Sequence, residues 1–233
     1  MSADGAAATA PRPRISIIVP VLDEGPALAA CLARFAPWRA AGDELIVVDG
    51  GSHDDSMAVA GAHSDRVLRA PRGRAAQMNA GAAVARGELL WFVHADSVVA
   101  PSLRPALLAA RGWGRCDVRI DDPAPLFRLV ETLMNLRSRL TGIATGDQGI
   151  FVSRALFAAV GGYPAIALME DIELSRALRR HARPQCLRAR IATSARRWRR
   201  DGVARTVLLM WLLRLAWFCG VPATRLARWY GYR

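Results

Sequence analysis

Three short apolar segments, each followed by acidic residues, do most to limit what this chain can fold into. They span residues 15–19, 45–48 and 89–93, and longer stretches rich in alanine separate them. Continuous runs of branched apolar residues are typical of strands that are covered on both faces. Such strands in alternation with helices predict an α/β fold, in which a mostly parallel central sheet carries helices on both faces.

The rest of the first half fits this alternation. Gly25 and Pro26 open a predicted helix that runs to about residue 35, and a second helix of small residues is expected at 75–85. A short strand is expected at 66–69. Ser52, with Asp55 three residues later, resembles a capping box that begins a further helix.

The second half has fewer strand signals. We expect helices at 125–140 and 169–180, a short strand at 149–153 and a mostly helical tail from residue 202 onward. Helical spacing places several apolar residues of the first of these helices near one side. They are Leu126, Leu129, Val130, Leu133, Met134 and Leu140.

Arginine alone supplies the positive charge of this chain at neutral pH. The formal net charge is +12, and all 32 basic residues are arginine. Because arginine favours phosphate and carboxylate partners, the excess fits nucleic acid, an anionic membrane face or a phosphorylated ligand. A GC-rich coding bias explains it equally well. No motif interleaves arginine with aromatic residues as nucleic-acid-binding proteins do, so we expect no nucleic-acid partner.

Cysteine use and the first residues bear on the cellular compartment. Four cysteines without metal-binding spacing are expected to be buried thiols in a reducing, cytoplasmic environment. They are Cys31, Cys116, Cys186 and Cys219. Residues 1–14 contain no apolar stretch and include Asp4, so we expect a short disordered lead rather than a signal peptide.

Acidic residues follow the predicted parallel strands at the points where these strands end. Asp23 and Glu24 come after the first strand, Asp49 after the second and Asp96 after the run at 89–93. In open α/β sheets, ligands bind beyond the carboxyl ends of the strands. The sequence therefore predicts a group of carboxylates at one edge of the sheet.

Five motifs, in this order and spacing, carry a resemblance to a known family. They are IVPVLDE, ELIVVDGGSHDDS, GRAAQMNAGAAVARGELLWFVHADS, GGYPAIALMEDIEL and SARRW. The set looks like a family 2 glycosyltransferase with the GT-A fold, a Rossmann-like arrangement. Within that family the chain resembles a small bacterial branch associated with radical-SAM and selenodomain proteins. The resemblance implies a catalytic domain at 15–200, with a nucleotide-binding half at 15–97 and an acceptor half at 98–200, followed by an apolar helical segment at 201–233.

The resemblance also implies roles for matching residues. Asp96 matches the last acid of the family's DxD motif and would bind Mg²⁺ or Mn²⁺, and His94 stands in place of the first Asp. Asp171, preceded by Glu170, matches the catalytic base of the inverting members. Asp147 and Gln148 are weaker candidates for the acceptor side. The residues implied in binding the nucleotide sugar are Pro20, Asp23, Glu24, Asp49, Arg74, Asn79, Arg197 and Trp198.

The expected function is inverting transfer of a sugar, with a UDP-sugar as the favoured donor, to an unidentified acceptor. The alternatives are a sugar-nucleotide nucleotidyltransferase, which would need a glycine-rich signature and a lysine that this chain lacks, and a nucleotide-binding module without turnover. Structural interpretations also remain open. His94 could simply donate a hydrogen bond, Asp49 could be a turn residue, and Glu170 with Asp171 could stabilise a helix N-terminus.

The C-terminal tail also allows two interpretations. The arginine-rich stretch at 195–205 precedes the apolar run at 207–221, which Arg214 interrupts. This pattern fits a core helix flanked by phosphate-binding arginines, which we favour. It also fits a helix that lies on an anionic membrane surface, at the inner face of the cytoplasmic membrane, where the acceptor would be lipid-linked.

Overall fold

The computed structural model describes residues 14–231, except for the side chain of Pro26. The predicted disordered lead therefore lies outside the described residues, apart from Arg14. Within the described range the chain forms a sheet of seven strands with helices on both faces, as expected.

The sheet has the order β3-β2-β1-β4-β6-β5-β7. Strands β1, β2, β3 and β4 are parallel to one another where they pair, β5 pairs in parallel with β7, and β6 is antiparallel to both of its neighbours. The strands are β1 (Ile15–Val21), β2 (Glu44–Asp49), β3 (Arg66–Arg69), β4 (Leu89–Phe92), β5 (Trp113–Asp121), β6 (Phe151–Ser153) and β7 (Gln185–Ser194).

Two hydrophobic layers enclose the sheet. One contains the inward faces of α1, α2 and α5 with Trp38 and Trp91, and the other contains those of α4, α7 and α8 with Phe92 and Tyr163. The helices are α1 (Gly25–Ala33), α2 (Ala36–Ala40), α3 (Ser56–His63), α4 (Arg74–Val84), α5 (Leu103–Ala109), α6 (Pro125–Thr141), α7 (Arg154–Ala159), α8 (Glu170–Arg179), α9 (Arg196–Asp201), α10 (Val203–Phe218) and α11 (Ala223–Tyr230).

Strands β5 and β7 are absent from the sequence prediction because charged residues interrupt their patterns. The side chain of Arg115 in β5 is completely buried. Its guanidinium donates hydrogen bonds to the hydroxyl of Ser138 and to the backbone carbonyl of Asn135, and it pairs with Asp117. A buried arginine is tolerated only when its donors are satisfied in this way, and these partners are brought together by the fold of the chain.

Three local predictions need correction. Ser52 does not cap a helix: α3 begins at Ser56, and the Ser52 hydroxyl accepts a hydrogen bond from the backbone N–H of Asp23. Cys31 and Cys116 are buried as expected, but Cys186 is partly exposed and Cys219 is exposed. On α6, Val130 and Met134 pack inward, whereas the leucines predicted beside them point away from the protein. The exposed leucines of this helix are Leu126, Leu129, Leu133 and Leu140, together with Leu136.

Close packing of α4 on the sheet gives a stability prediction. A Cβ atom at Gly81 would lie 2.5 Å from Cγ2 of Ile18 and 3.1 Å from Cγ2 of Val48, whereas at Gly61, also helical, it would meet nothing within 4 Å. We therefore expect Gly81→Ala to lower the free energy of unfolding by about 1–3 kcal/mol through overpacking. Gly61→Ala should raise it by about 0.5–1 kcal/mol. Urea denaturation measures both, and an equal response of the two variants would contradict the packing argument.

Candidate functional site

The carboxyl ends of β1, β2, β4, β5 and β7 meet at one edge of the sheet, since these strands run in the same direction. A cleft of about 200 Å³ opens there beside α1. Its polar lining comes from four separate segments and consists of Arg34, Asp96, Ser97, Asp121, Ser194 and Arg196. Of these residues, the sequence analysis found only Asp96.

Hydrogen bonds tie the loop after β1 to the loop after β2. The backbone N–H of Asp23 donates to the hydroxyl of Ser52 at 2.9 Å, and its carboxylate accepts from the backbone N–H of His53 at 2.7 Å. Asp23 adopts a left-handed conformation, with φ of 51°, which Asp tolerates better than most residues. The backbone N–H of Glu24 donates to the hydroxyl of Ser56 at 3.1 Å. The two loops form one unit at the edge of the sheet.

Asp49 and Pro20 lie beneath this unit. Asp49 is 1% exposed, and its carboxylate accepts hydrogen bonds from the backbone N–H groups of Gly51 and Ser52. Pro20 is a buried residue of β1 and lies opposite Val48 of β2. The turn interpretation of Asp49 therefore describes its contacts in this structure. Asp49, a residue that the family resemblance implies in nucleotide binding, is therefore buried below the exposed atoms of the two loops.

The carboxylate of Asp96, which lines the cleft, acts electrostatically on that of Glu24. Burial raises the pKa of Glu24, and the negative charge of Asp96 raises it further, while Arg196 acts in the opposite direction. Two carboxylates that repel each other would be relieved by a cation between them. A hard divalent cation prefers such oxygen ligands.

The donor set for a metal is incomplete in the protein alone. Among residues 14–231, no three His, Cys, Asp or Glu side chains lie close enough together to hold a metal ion. Asp96 with Glu24 therefore fits a cation that takes its other ligands from water and from a bound diphosphate, as Mg²⁺ commonly does. The ring of His94 packs closely against the backbone of Gly146. Its Nε2 lies only 2.5 Å from the position that a Cβ atom at Gly146 would occupy.

His94 lies among acids from three elements. Burial lowers its pKa, as does the positive charge of Arg74, whereas Asp96, Asp147 and Asp171 act to raise it. The net direction keeps the imidazole neutral at neutral pH. The ring therefore lies where the end of β4, the 3₁₀ turn Gly146–Gln148 and the start of α8 approach one another.

Glu170 and Asp171 at the start of α8 have different surroundings. Glu170 is 3% exposed, and its Oε1 lies 2.8 Å from Nε of Arg74, the first residue of α4. Burial raises the pKa of Glu170, an effect that Arg74 opposes. Asp171 is only partly buried, and its Oδ2 accepts a hydrogen bond from the backbone N–H of Gly146 at 3.0 Å. Asp171 is therefore the more accessible carboxylate of the two.

Asn79 and Gln148 are occupied by structural contacts. The side-chain amide of Asn79 donates to the carbonyl of Tyr163 at 2.8 Å and accepts from its N–H at 2.9 Å. This pairing joins α4 to the loop that precedes α8, and the role of Asn79 in binding the nucleotide sugar stays a prediction. Gln148 is completely buried and forms a capping box with Thr145, and its place on the acceptor side stays a prediction. Asp147 beside it is partly exposed.

Arg197 and Trp198 lie at the junction with the C-terminal helices. The guanidinium carbon of Arg197 stacks 3.8 Å from the ring centroid of Tyr230, and Trp198 packs edge-to-face on Phe127. It is the preceding residue, Arg196, that lines the cleft. A basic run gives no sequence signal for which of its arginines faces inward, and this is why Arg196 was missed.

Arg137 of α6 and Arg214 of α10 were also missed. Both are partly buried, and Nη2 of Arg137 is buried without a hydrogen-bond partner among the described residues. Burial lowers the pKa of Arg137 to about 10, and repulsion from Arg214 adds to this, while Asp147 and Asp171 act in the opposite direction. The charges of Arg214, Asp147 and Asp171 thus all act on the guanidinium group of Arg137.

Known proteins resemble the chain in sequence and in fold. The model for "Glycosyl transferase family 2" matches residues 16–122. The uncharacterized glycosyltransferase YibD of Escherichia coli (strain K12) is 28% identical over 143 residues, which make up 57% of this chain and 42% of YibD. The chain spans less than half the length of the curated relatives that it matches.

Two solved structures show the fold. The mannosyltransferase PcManGT from Pyrobaculum calidifontis, in complex with GDP-Man and Mn²⁺, has a TM-score of 0.60 at 20% identity, over 78% of this chain and 57% of that one. The glucosyl-3-phosphoglycerate synthase from Mycobacterium tuberculosis, in complex with Mn²⁺, UDP and glucosyl-3-phosphoglycerate, has a TM-score of 0.59 at 20% identity, over 78% of this chain and 71% of that one.

The narrower resemblance to the branch associated with radical-SAM and selenodomain proteins stays a prediction. The broader one is confirmed, since the family model covers the strands and loops that carry Asp23, Asp49 and Asp96, and the sheet has the same fold as solved glycosyltransferases. Residues 16–122 of this chain are thus similar to glycosyl transferase family 2, and its sheet has the fold of solved glycosyltransferases.

Proposed function

We propose that the chain transfers a sugar from a nucleotide-diphosphate sugar, with a UDP-sugar favoured, to an acceptor by a single displacement that inverts the anomeric configuration. The observation that carries this proposal is a set of contacts at the edge of the sheet. Asp171 accepts a hydrogen bond from the backbone N–H of Gly146, Gly146 lies against the ring of His94, and Asp96 follows His94 by two residues. These acids come from distant parts of the chain. Their meeting at the edge of the sheet suits a reaction in which a diphosphate leaves on one side and a hydroxyl is deprotonated on the other.

The donor side is assigned to the first half of the chain, residues 15–97. The loops after β1 and β2 would border the nucleotide, and Asp96 with Glu24 would hold a divalent cation at the diphosphate. Mn²⁺ or Mg²⁺ held there would supply positive charge opposite the departing diphosphate. The related structures support this choice, because one contains GDP-Man with Mn²⁺ and the other UDP with Mn²⁺. Arg196, which lines the cleft near Glu24, would add a hydrogen-bond donor for phosphate oxygens.

The acceptor side is assigned to residues 98–200 together with α10. Asp171 would accept the proton of the attacking hydroxyl as general base, since it is partly exposed while Glu170 is buried against Arg74. The hydrogen bond from Gly146 would orient its carboxylate. Arg137 and Arg214 place positive charge beside Asp147 and Asp171, which favours an acceptor that carries a negatively charged group.

A thermal-shift panel tests the donor. The full chain is heated with UDP-glucose, GDP-mannose, dTDP-glucose or ATP, each with Mn²⁺, with Mg²⁺ or with EDTA. A ligand that binds only the folded state raises the melting temperature, by an amount equivalent to about 2.7 kcal/mol at a hundred times its Kd.

The expected result is a shift with UDP-glucose and Mn²⁺ that exceeds the sum of the shifts with each alone. A shift with ATP and none with the nucleotide sugars would contradict the transferase proposal and favour a nucleotidyl-transfer enzyme. Release of UDP during prolonged incubation separates an enzyme from a binding module, because only an enzyme turns the donor over.

A further inference from the structure

The exposed apolar side chains of this protein are concentrated on three helices. Within residues 14–231, every exposed large hydrophobic side chain belongs to α6, α10 or α11. They are Leu126, Leu129, Leu133, Leu136 and Leu140 on α6, Leu208, Trp211, Leu212, Leu215 and Phe218 on α10, and Trp229 on α11. Contiguous exposed apolar surface on this scale marks an interaction site.

Each of the two longer helices has a covered face and an apolar outer face. The outer leucines of α6 are spaced three and four residues apart from Leu126 to Leu140, opposite the face on which Phe127 and Val130 pack. On α10 the outer residues have the same spacing, and Leu213 packs on the other side. Spacing of this kind lines up side chains along one side of a helix. Both stripes therefore point away from the protein body.

The two helices run between the same pair of hydrophobic clusters. Phe127 near the start of α6 shares a cluster with Val203 at the start of α10. Ile143, just after α6, shares another with Leu213 of α10. These shared clusters hold α6 and α10 side by side. We call the outer faces of α6, α10 and α11 the apolar surface.

Charge at this surface is positive only. Residues 203–231 contain Arg205, Arg214, Arg225 and Arg228 and no acidic residue. The one acid of α6, Glu131, is buried, where it pairs with Arg128. Two copies of the chain docked through this surface would bring arginine against arginine. An anionic lipid surface complements both the apolar stripes and the arginines, and exposed tryptophans such as Trp211 and Trp229 are typical of surfaces that lie at a membrane interface.

We propose that the apolar surface formed by α6, α10 and α11 docks on an anionic lipid membrane, with the helices lying in the interface. None of the helices among the described residues combines the length and apolar character needed to cross a bilayer. A surface that combines exposed apolar stripes with arginines suits docking in the plane of the membrane interface.

Sedimentation of the full chain with vesicles tests the proposal. We expect binding to vesicles of phosphatidylcholine and phosphatidylglycerol in equal parts, weaker binding at high salt and little binding to phosphatidylcholine alone. The double variant Trp211→Ser/Leu215→Ser should bind at least about tenfold more weakly, because two large side chains no longer enter the bilayer. Both positions are exposed, so the melting temperature should be unchanged.

A matched pair of arginine variants tests the role of charge. Arg225→Ser/Arg228→Ser on α11 should weaken binding to the anionic vesicles several-fold, since each basic residue near such a surface contributes measurably. Arg69→Ser/Arg72→Ser removes the same charge next to β3, at the opposite edge of the sheet, and should leave binding nearly intact. Equal losses in both pairs would overturn the proposal.

The competing occupant is a second copy of the chain. Light scattering of the full chain without lipid distinguishes it, and we expect a monomer mass that Trp211→Ser/Leu215→Ser does not change. A dimer that these substitutions dissociate, or a full chain that stays in the supernatant with anionic vesicles, would refute membrane docking. Neither result depends on glycosyl transfer, so the proposed function can fail while this proposal stands, and the reverse.

Discussion

Asp171→Asn is expected to lower the release of UDP from UDP-glucose, with water as the acceptor, by about a hundredfold to ten-thousandfold. The reason is that a general base contributes about that factor and an amide cannot take a proton at neutral pH. The amide oxygen of Asn can still accept the hydrogen bond that Gly146 donates to Asp171. The shift of melting temperature produced by UDP-glucose with Mn²⁺ should therefore match that of the unmodified chain.

Glu173→Gln is the matched control, a carboxyl-to-amide change two residues further along α8. The Glu173 side chain accepts hydrogen bonds from Arg176 and from the indole of Trp217, and Gln can accept both. We expect its UDP release to stay within about twofold, as for surface changes away from a site. Retained UDP release in Asp171→Asn would remove the general-base role. An equal loss of donor binding in that variant would point to a structural role instead.

Asp96→Asn is expected to abolish most of the metal-dependent part of donor binding. Asp96 is the carboxylate at the end of β4 that lines the cleft and acts on Glu24. Changes in outer-shell partners of metal sites already cost about tenfold to a hundredfold in affinity, so loss of a direct ligand should weaken the binding of UDP by at least about tenfold in Mn²⁺. Isothermal titration with UDP, in Mn²⁺ and in EDTA, measures this effect without any turnover.

Asp55→Asn serves as the control for the change in charge. Asp55 is exposed at the start of α3 and its side chain makes no capping hydrogen bond, so the titration should be unaffected. In EDTA, Asp96→Asn and the unmodified chain should bind UDP equally. An unchanged Mn²⁺ dependence in Asp96→Asn would show that the cation, if the chain uses one, is held elsewhere.

Much of the first half could be predicted because its signals are local. Uninterrupted apolar runs led to β1, β2 and β4, and alternation with helices led to a parallel sheet, both of which the structure confirms. The parallel arrangement alone then brings Glu24 and Asp96 to one edge. The second half was harder, since β5 and β7 contain charged residues whose partners are distant in sequence, as with Arg115 and Ser138.

The sequence by itself determined the fold class and the acidic edge, because strand periodicity and the positions of acids after strands are properties of neighbouring residues. Only the tertiary structure decided which side chains are buried or held by internal hydrogen bonds and which are exposed. It pairs Asn79 with Tyr163 and buries Gln148, and it turns the leucines of α6 outward. These outcomes depend on hydrogen-bond partners and covering faces that come from remote parts of the chain, and such contacts exist only once the sheet has assembled.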